Sequence, residues 1–157
     1  VSDLDDLDLQ LIDLLIEDGR RSAAEIAQHI PEVTERTIRN RINALIDKKI
    51  IQISAIPDPT AIGLSAIADV FIEVEPGSLY EVAEKLVAYD NISYVACSTG
   101  DSDISLQVVA QTNAELFAFV TDELNHIPGV RKVTTSIVPV ILKRFGYRTR
   151  SIIKLED

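Results

Sequence analysis

The chain has 157 residues, 46% of them hydrophobic and 25% charged, with a formal net charge of −10. That composition suits a globular protein able to bury one sizeable core or two small ones. It excludes a disulfide framework and a cysteine-built metal site, since Cys97 is the only cysteine. No apolar run is long enough to span a membrane. The opening Val1-Ser2-Asp3-Leu4-Asp5-Asp6 is acidic and lacks the charged-then-apolar pattern of a leader, so a cytoplasmic location is expected.

The first element is a helix over roughly Leu7 to Glu17. Leu7, Leu11, Leu14 and Leu15 fall on one stripe, while Leu9, Ile12 and Ile16 lie partly off it. A helix apolar on more than one face needs cover on more than one face, which a second subunit could supply. Gly19 ends it. Ser22-Ala23-Ala24-Glu25 reads as a capping box opening a short second helix, with Ile26 and Ile30 on one face and Pro31-Glu32-Val33 as its break. Thr34 is a suitable N-cap for a third helix, whose Ile38, Ile42 and Leu45 recur at helical spacing. Ile50-Ile51-Gln52-Ile53 is β-branched and reads as a strand, and Pro57-Asp58-Pro59 marks a boundary.

Beyond that boundary the pattern changes. Ile67 to Val74 reads as a strand, and Leu79, Val82, Ala83, Leu86 and Val87 as a helix. Ile92 to Ser98 and Ile104 to Ala110 are strands around the turn Thr99-Gly100-Asp101-Ser102-Asp103. Leu116, Val120, Leu124 and Ile127 mark a helix that Pro128-Gly129 stops, and Val130 to Val138 is a further strand. The tail from Ile141 carries Lys143, Arg144, Arg148, Arg150 and Lys154, with a short strand as its expected addition. The fold class is α+β: a winged helix-turn-helix over residues 1–57, a linker over 58–64, and a ferredoxin-like βαββαβ domain over 65–157.

Net charge argues against a phosphate-binding surface, but only one basic face is required. From Arg36 to Lys49 the chain has Arg36, Arg39, Arg41, Lys48 and Lys49 against Asp47 alone. With Ile38, Ile42 and Leu45 turned inward, Arg36, Asn40 and Asn43 point outward, flanked by Thr37 and Arg39. Arginine pairs with guanine edges and asparagine with adenine edges, and either can hold phosphate. The candidate DNA-binding residues are therefore Thr34, Arg36, Thr37, Arg39, Asn40, Arg41 and Asn43, with Arg20, Arg21, Lys48 and Lys49 placed for phosphate. A merely solvated basic helix is the competing reading; the succession of capped short helix, three-residue break and capped basic helix favours DNA.

Several stretches, in order, resemble the Lrp/AsnC, or feast/famine, family of regulators. They are Leu7-Asp8-Leu9-Gln10-Leu11-Ile12, Asp18-Gly19-Arg20-Arg21-Ser22, Glu25-Ile26-Ala27 and Thr37-Ile38-Arg39-Asn40-Arg41-Ile42. Asp58 with Ile62-Gly63, the loop Thr99–Asp103 as a Gly-Asp-x-Asp motif, and Ile127-Pro128-Gly129-Val130 complete the set. The resemblance implies a transcription regulator of double-stranded DNA whose second domain responds to a small effector, often an amino acid. It implies homodimers assembling to tetramers or octamers, with effector between subunits near Thr99, Gly100, Asp101 and Asp103. On residues alone the same loop reads as a hairpin turn.

Four places depart from the family pattern. Ser102 and the neighbourhood of Ile104 lack its common aromatic residues, Lys49 replaces its usual glycine, and Pro31-Glu32-Val33 replaces its Gly-Leu-Ser turn. His29 and His126 lack metal-ligand spacing, so no metal, cofactor or catalytic group is expected. The alternative class is an enzyme resembling sirohaem decarboxylases on the same scaffold, and two histidines are few for a tetrapyrrole pocket.

Overall fold

The computed structural model describes residues 4–143 and 146–153, so the expectations resting on Val1, Ser2, Asp3, Arg144 and Lys154 lie outside the described residues. The chain forms two compact units. One comprises the described residues through Ile56 together with those from Lys143 onward; the other is Pro57–Leu142. The expected assignment of the whole stretch 65–157 to one domain is thus corrected, because the tail folds with the N-terminal unit.

In the first unit, α1 (Asp6–Glu17), α2 (Ala23–His29) and α3 (Glu35–Asp47) surround a core of Leu11, Ile26, Ile30 and Ile38. Each helix begins where a side chain satisfies orphan N–H groups. Ser22 and Glu25 exchange bonds at the start of α2, with Glu25 N donating to Ser22 Oγ at 3.2 Å and Ser22 N donating to Glu25 Oε2 at 2.7 Å. Thr34 caps α3 by accepting from Thr37 N at 3.2 Å. An unanticipated box opens α1, where Asp8 N donates to Asp5 Oδ1 at 2.9 Å and Asp5 N to Asp8 Oδ2 at 3.3 Å.

Leu9 and Ile12, off the main stripe of α1, are nonetheless buried. Part of the cover comes from within the chain: a one-turn helix in the tail, α6 (Thr149–Ile152), packs against α1, with Thr149 Oγ1 3.2 Å from Leu9 O. The short strand expected in the tail does not form among its described residues, which is a correction.

No strand forms at Ile50–Ile53, so the expected wing is absent from the single chain. β-Branched residues favour extended backbone, but a strand needs a partner ladder. Here the Ile50 N–H is spent closing α3, donating to Leu45 O at 2.9 Å.

The second unit places β1 (Ala66–Val74), α4 (Leu79–Val87), β2 (Ile92–Cys97), β3 (Ile104–Ala110), α5 (Asn113–Ala118) and β4 (Val130–Ile137) in a βαββαβ succession. The sheet order is β2-β3-β1-β4, antiparallel throughout. Alternation puts Ala68, Val70, Ile72, Leu106 and Val108 on the face covered by Val82, Leu86, Leu116 and Leu124. The opposite face carries Phe71 and Tyr94, 39% and 57% exposed. The second helix is not regular: a π turn (Phe119–Glu123) and a 3-10 turn (Leu124–His126) follow α5. Among the described residues no helix is long and apolar enough to cross a membrane.

Candidate nucleic-acid interface and effector loop

The buried side of α3 fixes its outer side. Ile38 and Leu45 are buried and Ile42 half-buried, which leaves Arg36, Thr37, Arg39, Asn40 and Asn43 exposed on a continuous helical surface. Thr34 stands at its N-terminal edge, its Oγ1 2.9 Å from that of Thr37. The α2–α3 break leaves this surface uncovered by the described residues of its own unit, and its outward groups are the side chains able to meet base edges.

Lys48 and Lys49 are exposed at the far end of α3. Lys49 is the only described non-glycine residue with positive φ, at 56°. Lys49 N donates to Ile46 O and Ile50 N to Leu45 O, both at 2.9 Å, so the helix closes in a Schellman motif with lysine where glycine is preferred. A left-handed side-chain residue costs about 1–2 kcal/mol, partly offset by the greater freedom glycine has when unfolded. Lys49→Gly is therefore expected to raise stability by about 0.5–1 kcal/mol in urea denaturation while weakening DNA binding. Lower stability in that variant would contradict the reading of the turn.

Two of the cations expected at the interface, Arg41 and Arg21, have other surroundings. Arg41 lies toward the packed side of α3, and its Nη1 is 2.8 Å from Asp5 Oδ2 and 3.1 Å from Asp8 Oδ1. Asp8 is 5% exposed, so this pair ties α1 to α3 through Arg41. Burial alone would raise the Asp5 carboxyl, but the Asp8 N–H and the Arg41 guanidinium outweigh it and hold it below its usual range. Arg21 is largely covered, with Nη1 3.5 Å from Glu17 Oε2, whereas the Arg20 side chain is 95% exposed beside Asp18.

The β2–β3 loop is held at one end. Asp103 Oδ2 accepts from Val74 N at 2.8 Å, and the Asp103 N–H donates to Ile72 O at 2.9 Å. Ser98 Oγ donates to Ser102 O at 3.0 Å. Asp103 thus braces the loop against the end of β1 and has one oxygen already engaged, a role the sequence reading missed. Thr99, Gly100 and Asp101 are exposed, and Asp101 presents its carboxylate to solvent.

Elsewhere, His29 Nδ1 lies 2.9 Å from Glu25 O at the end of α2. Among the described residues no group of three or more His, Cys, Asp or Glu side chains is arranged to hold a metal.

A capped helix with an outward polar and basic face, joined to a ferredoxin-like unit, defines a helix-turn-helix DNA-binding regulator. Comparison with known proteins agrees along the chain. Residues 4–46 match the AsnC-type helix-turn-helix domain, and residues 67–146 match the Lrp/AsnC ligand binding domain. The chain belongs to the Lrp/AsnC family of transcriptional regulators.

An uncharacterized HTH-type transcriptional regulator of Pyrococcus furiosus is 37% identical over 145 residues, 92% of this chain and 97% of that protein. The HTH-type transcriptional regulator FL11 of Pyrococcus abyssi is 37% identical over 136 residues, covering 86% and 89% of the two chains. In fold, the chain matches E. coli AsnC at a TM-score of 0.82, with 20% identity and 92% and 98% coverage. A Neisseria meningitidis transcriptional regulator solved as an L-Met complex matches at 0.80, with 23% identity and 93% and 94% coverage. These relatives are regulators and not enzymes, and the decarboxylase alternative finds no support among them.

Proposed function

We propose that α3 enters the major groove and that Arg36, Thr37, Arg39, Asn40 and Asn43 read the operator, with Thr34 at the groove edge. Lys48, Lys49 and Arg20 meet backbone phosphates. Arg41 serves the fold, since Asp5 and Asp8 occupy it, and Arg21 is largely covered beside Glu17, 3.5 Å away. The observation that carries this reading is the exposed Arg36–Asn40–Asn43 face on a capped helix of an otherwise acidic chain. Because the basic surface is small, non-specific affinity is low and strongly dependent on salt.

Two copies form a dimer and pair two reading helices on a roughly palindromic site, and dimers assemble further to tetramers or octamers. The uncovered sheet face with Phe71 and Tyr94 supports association of the second units. Selection from a pool of random-sequence duplexes tests the proposal. Enrichment of two-fold-related half-sites spaced by about 10–10.5 bp or a multiple is expected. A selection that enriches nothing contradicts it.

The second unit binds a free amino acid or related effector between subunits at the loop Thr99–Asp103. The exposed Asp101 carboxylate receives the ammonium group, Thr99 and Gly100 line the approach, and Asp103 holds the loop in shape. The L-Met complex of the Neisseria relative supports this ligand class. In a thermal-shift panel of free amino acids, wild-type protein is expected to be stabilised by at least one, and Asp101→Ala to lose most of that shift. An equal shift in the variant removes Asp101 from the effector site.

A further inference from the structure

Positions 6, 13 and 17 of α1 lie on one helical face, positions 13 and 17 each about 20° to either side of position 6 at 100° per residue. All three are acidic: Asp6, Asp13 and Glu17. The tail runs along this face with matching groups. Arg150 Nε and Nη2 are 3.1 and 3.3 Å from the two Asp6 oxygens, a bidentate pair. Thr149 N donates to Asp13 Oδ1 at 2.6 Å, and Thr149 Oγ1 lies 2.8 Å from that oxygen and 3.2 Å from Leu9 O. Arg148 Nη2 stands 3.6 Å from Glu17 Oε1.

Thr149 is 5% exposed at the centre of this contact, which satisfies the first N–H groups of α6 with a carboxylate from another helix. Burial would raise the Asp13 carboxyl, yet the Thr149 and Arg150 donors outweigh it and hold it below the usual range.

The same α1 grips the recognition helix, through Asp5 and Asp8 on Arg41. A chain of contacts therefore runs from Thr149 through Asp13 and α1 to Arg41 on α3. The tail is also covalently continuous with β4 of the ligand-binding unit. We propose that the C-terminal segment is a clasp through which the ligand-binding unit sets the order of α1 and the placement of α3. Asp13 and Thr149 are then positioning residues for DNA reading. This rests on the assignment of α3 as the reading helix. Engagement of the clasp favours DNA binding and its release weakens it, so whatever moves the end of β4 has a second covalent route to the reading unit besides the linker.

Thr149→Val tests this in the full-length chain, because it removes the hydroxyl while keeping a branched side chain of similar size. Thr149→Ser, which keeps the hydroxyl, is the restoring control, and Asp13→Asn is a second variant on the other side of the contact. Amide hydrogen exchange of α1 without DNA is read first, then affinity for a duplex that wild-type protein selects from a random pool. Thr149→Val and Asp13→Asn are expected to exchange faster across α1 and to bind that duplex about five- to tenfold more weakly. Thr149→Ser is expected to stay near wild type in both.

Unchanged exchange in both weakened variants overturns the clasp. Faster exchange with unchanged affinity overturns the positioning role and leaves the tail a packing element only. If wild type enriches no duplex, the DNA reading fails and takes the positioning role with it, while exchange still decides whether the clasp exists.

Discussion

Gly129→Ala is expected to destabilise the second unit by about 2–5 kcal/mol, from left-handed strain and overpacking together. Gly129 has φ of +94°, and a Cβ there would lie 2.7 Å from Ser78 Cβ, 3.0 Å from Ser78 Oγ and 3.2 Å from Val82 Cγ2. None of these neighbours gives way cheaply. Ser78 begins α4, and Val82 is fully buried against the sheet. The Gly129 carbonyl also accepts from Glu75 N at 2.8 Å, so the turn cannot swing away without losing a bond at the end of β1.

Gly63 separates the two contributions, since its φ is +91° but an added Cβ would meet nothing within 4 Å. Gly63→Ala should cost only about 1–2 kcal/mol, the backbone part. Urea denaturation followed by far-ultraviolet circular dichroism compares them. Equal costs at the two positions would mean that the close approach of the 128–129 turn to α4 is wrong.

Arg36→Ala and Asn40→Ala are each expected to weaken specific DNA binding by about 1–3 kcal/mol if they read bases. Both side chains are exposed, on the face opposite Ile38 and Leu45, so their removal opens no cavity and strands no buried partner. Stability should change little, which separates this from a folding defect. A residue that contacts phosphate behaves differently: Lys48→Ala should weaken binding evenly across sequences and lower the salt slope by about 1. Unchanged affinity in both the Arg36 and Asn40 variants removes α3 as the reader.

Much of this architecture is legible locally. Ser22 and Glu25 announce α2, Thr34 announces α3, and the period-two pattern of Ile104–Ala110 marks a strand whose alternate residues are buried. These features depend on neighbours within a few residues. The reading fails where the deciding partner is distant. Arg41 looks like part of a basic face until Asp8, 33 residues earlier, is seen to hold it. The tail is expected to add a short strand because nothing local reveals that Asp13, 136 residues away, satisfies the start of α6. Asp103 passes for a plain turn residue until its carboxylate is found on Val74 N.

Two further differences have local causes that periodicity does not register. Ile50–Ile53 has strand propensity, but its first N–H group closes α3 in place of a ladder. The stripe Leu116, Val120, Leu124 and Ile127 suggests one regular helix, yet the spacing tolerates the π turn at Phe119–Glu123 without displacing Leu116 or Leu124 from the core. Asp5 and Asp8 were the one missed pair with a local signal, since an acidic residue three positions after an N-cap is a capping pattern.

The central claim is that the outer face of α3 reads bases in the major groove. Its most direct measurement pairs a protein change with a DNA change on the selected duplex. Guanines in each half-site are replaced one at a time by 7-deazaguanine, which lacks the N7 acceptor that arginine uses. At one position per half-site, the replacement should weaken wild-type binding several-fold and leave Arg36→Ala, already weakened, unaffected. Equal further weakening of the variant at every position, or no effect on wild type anywhere, would contradict base reading by this face.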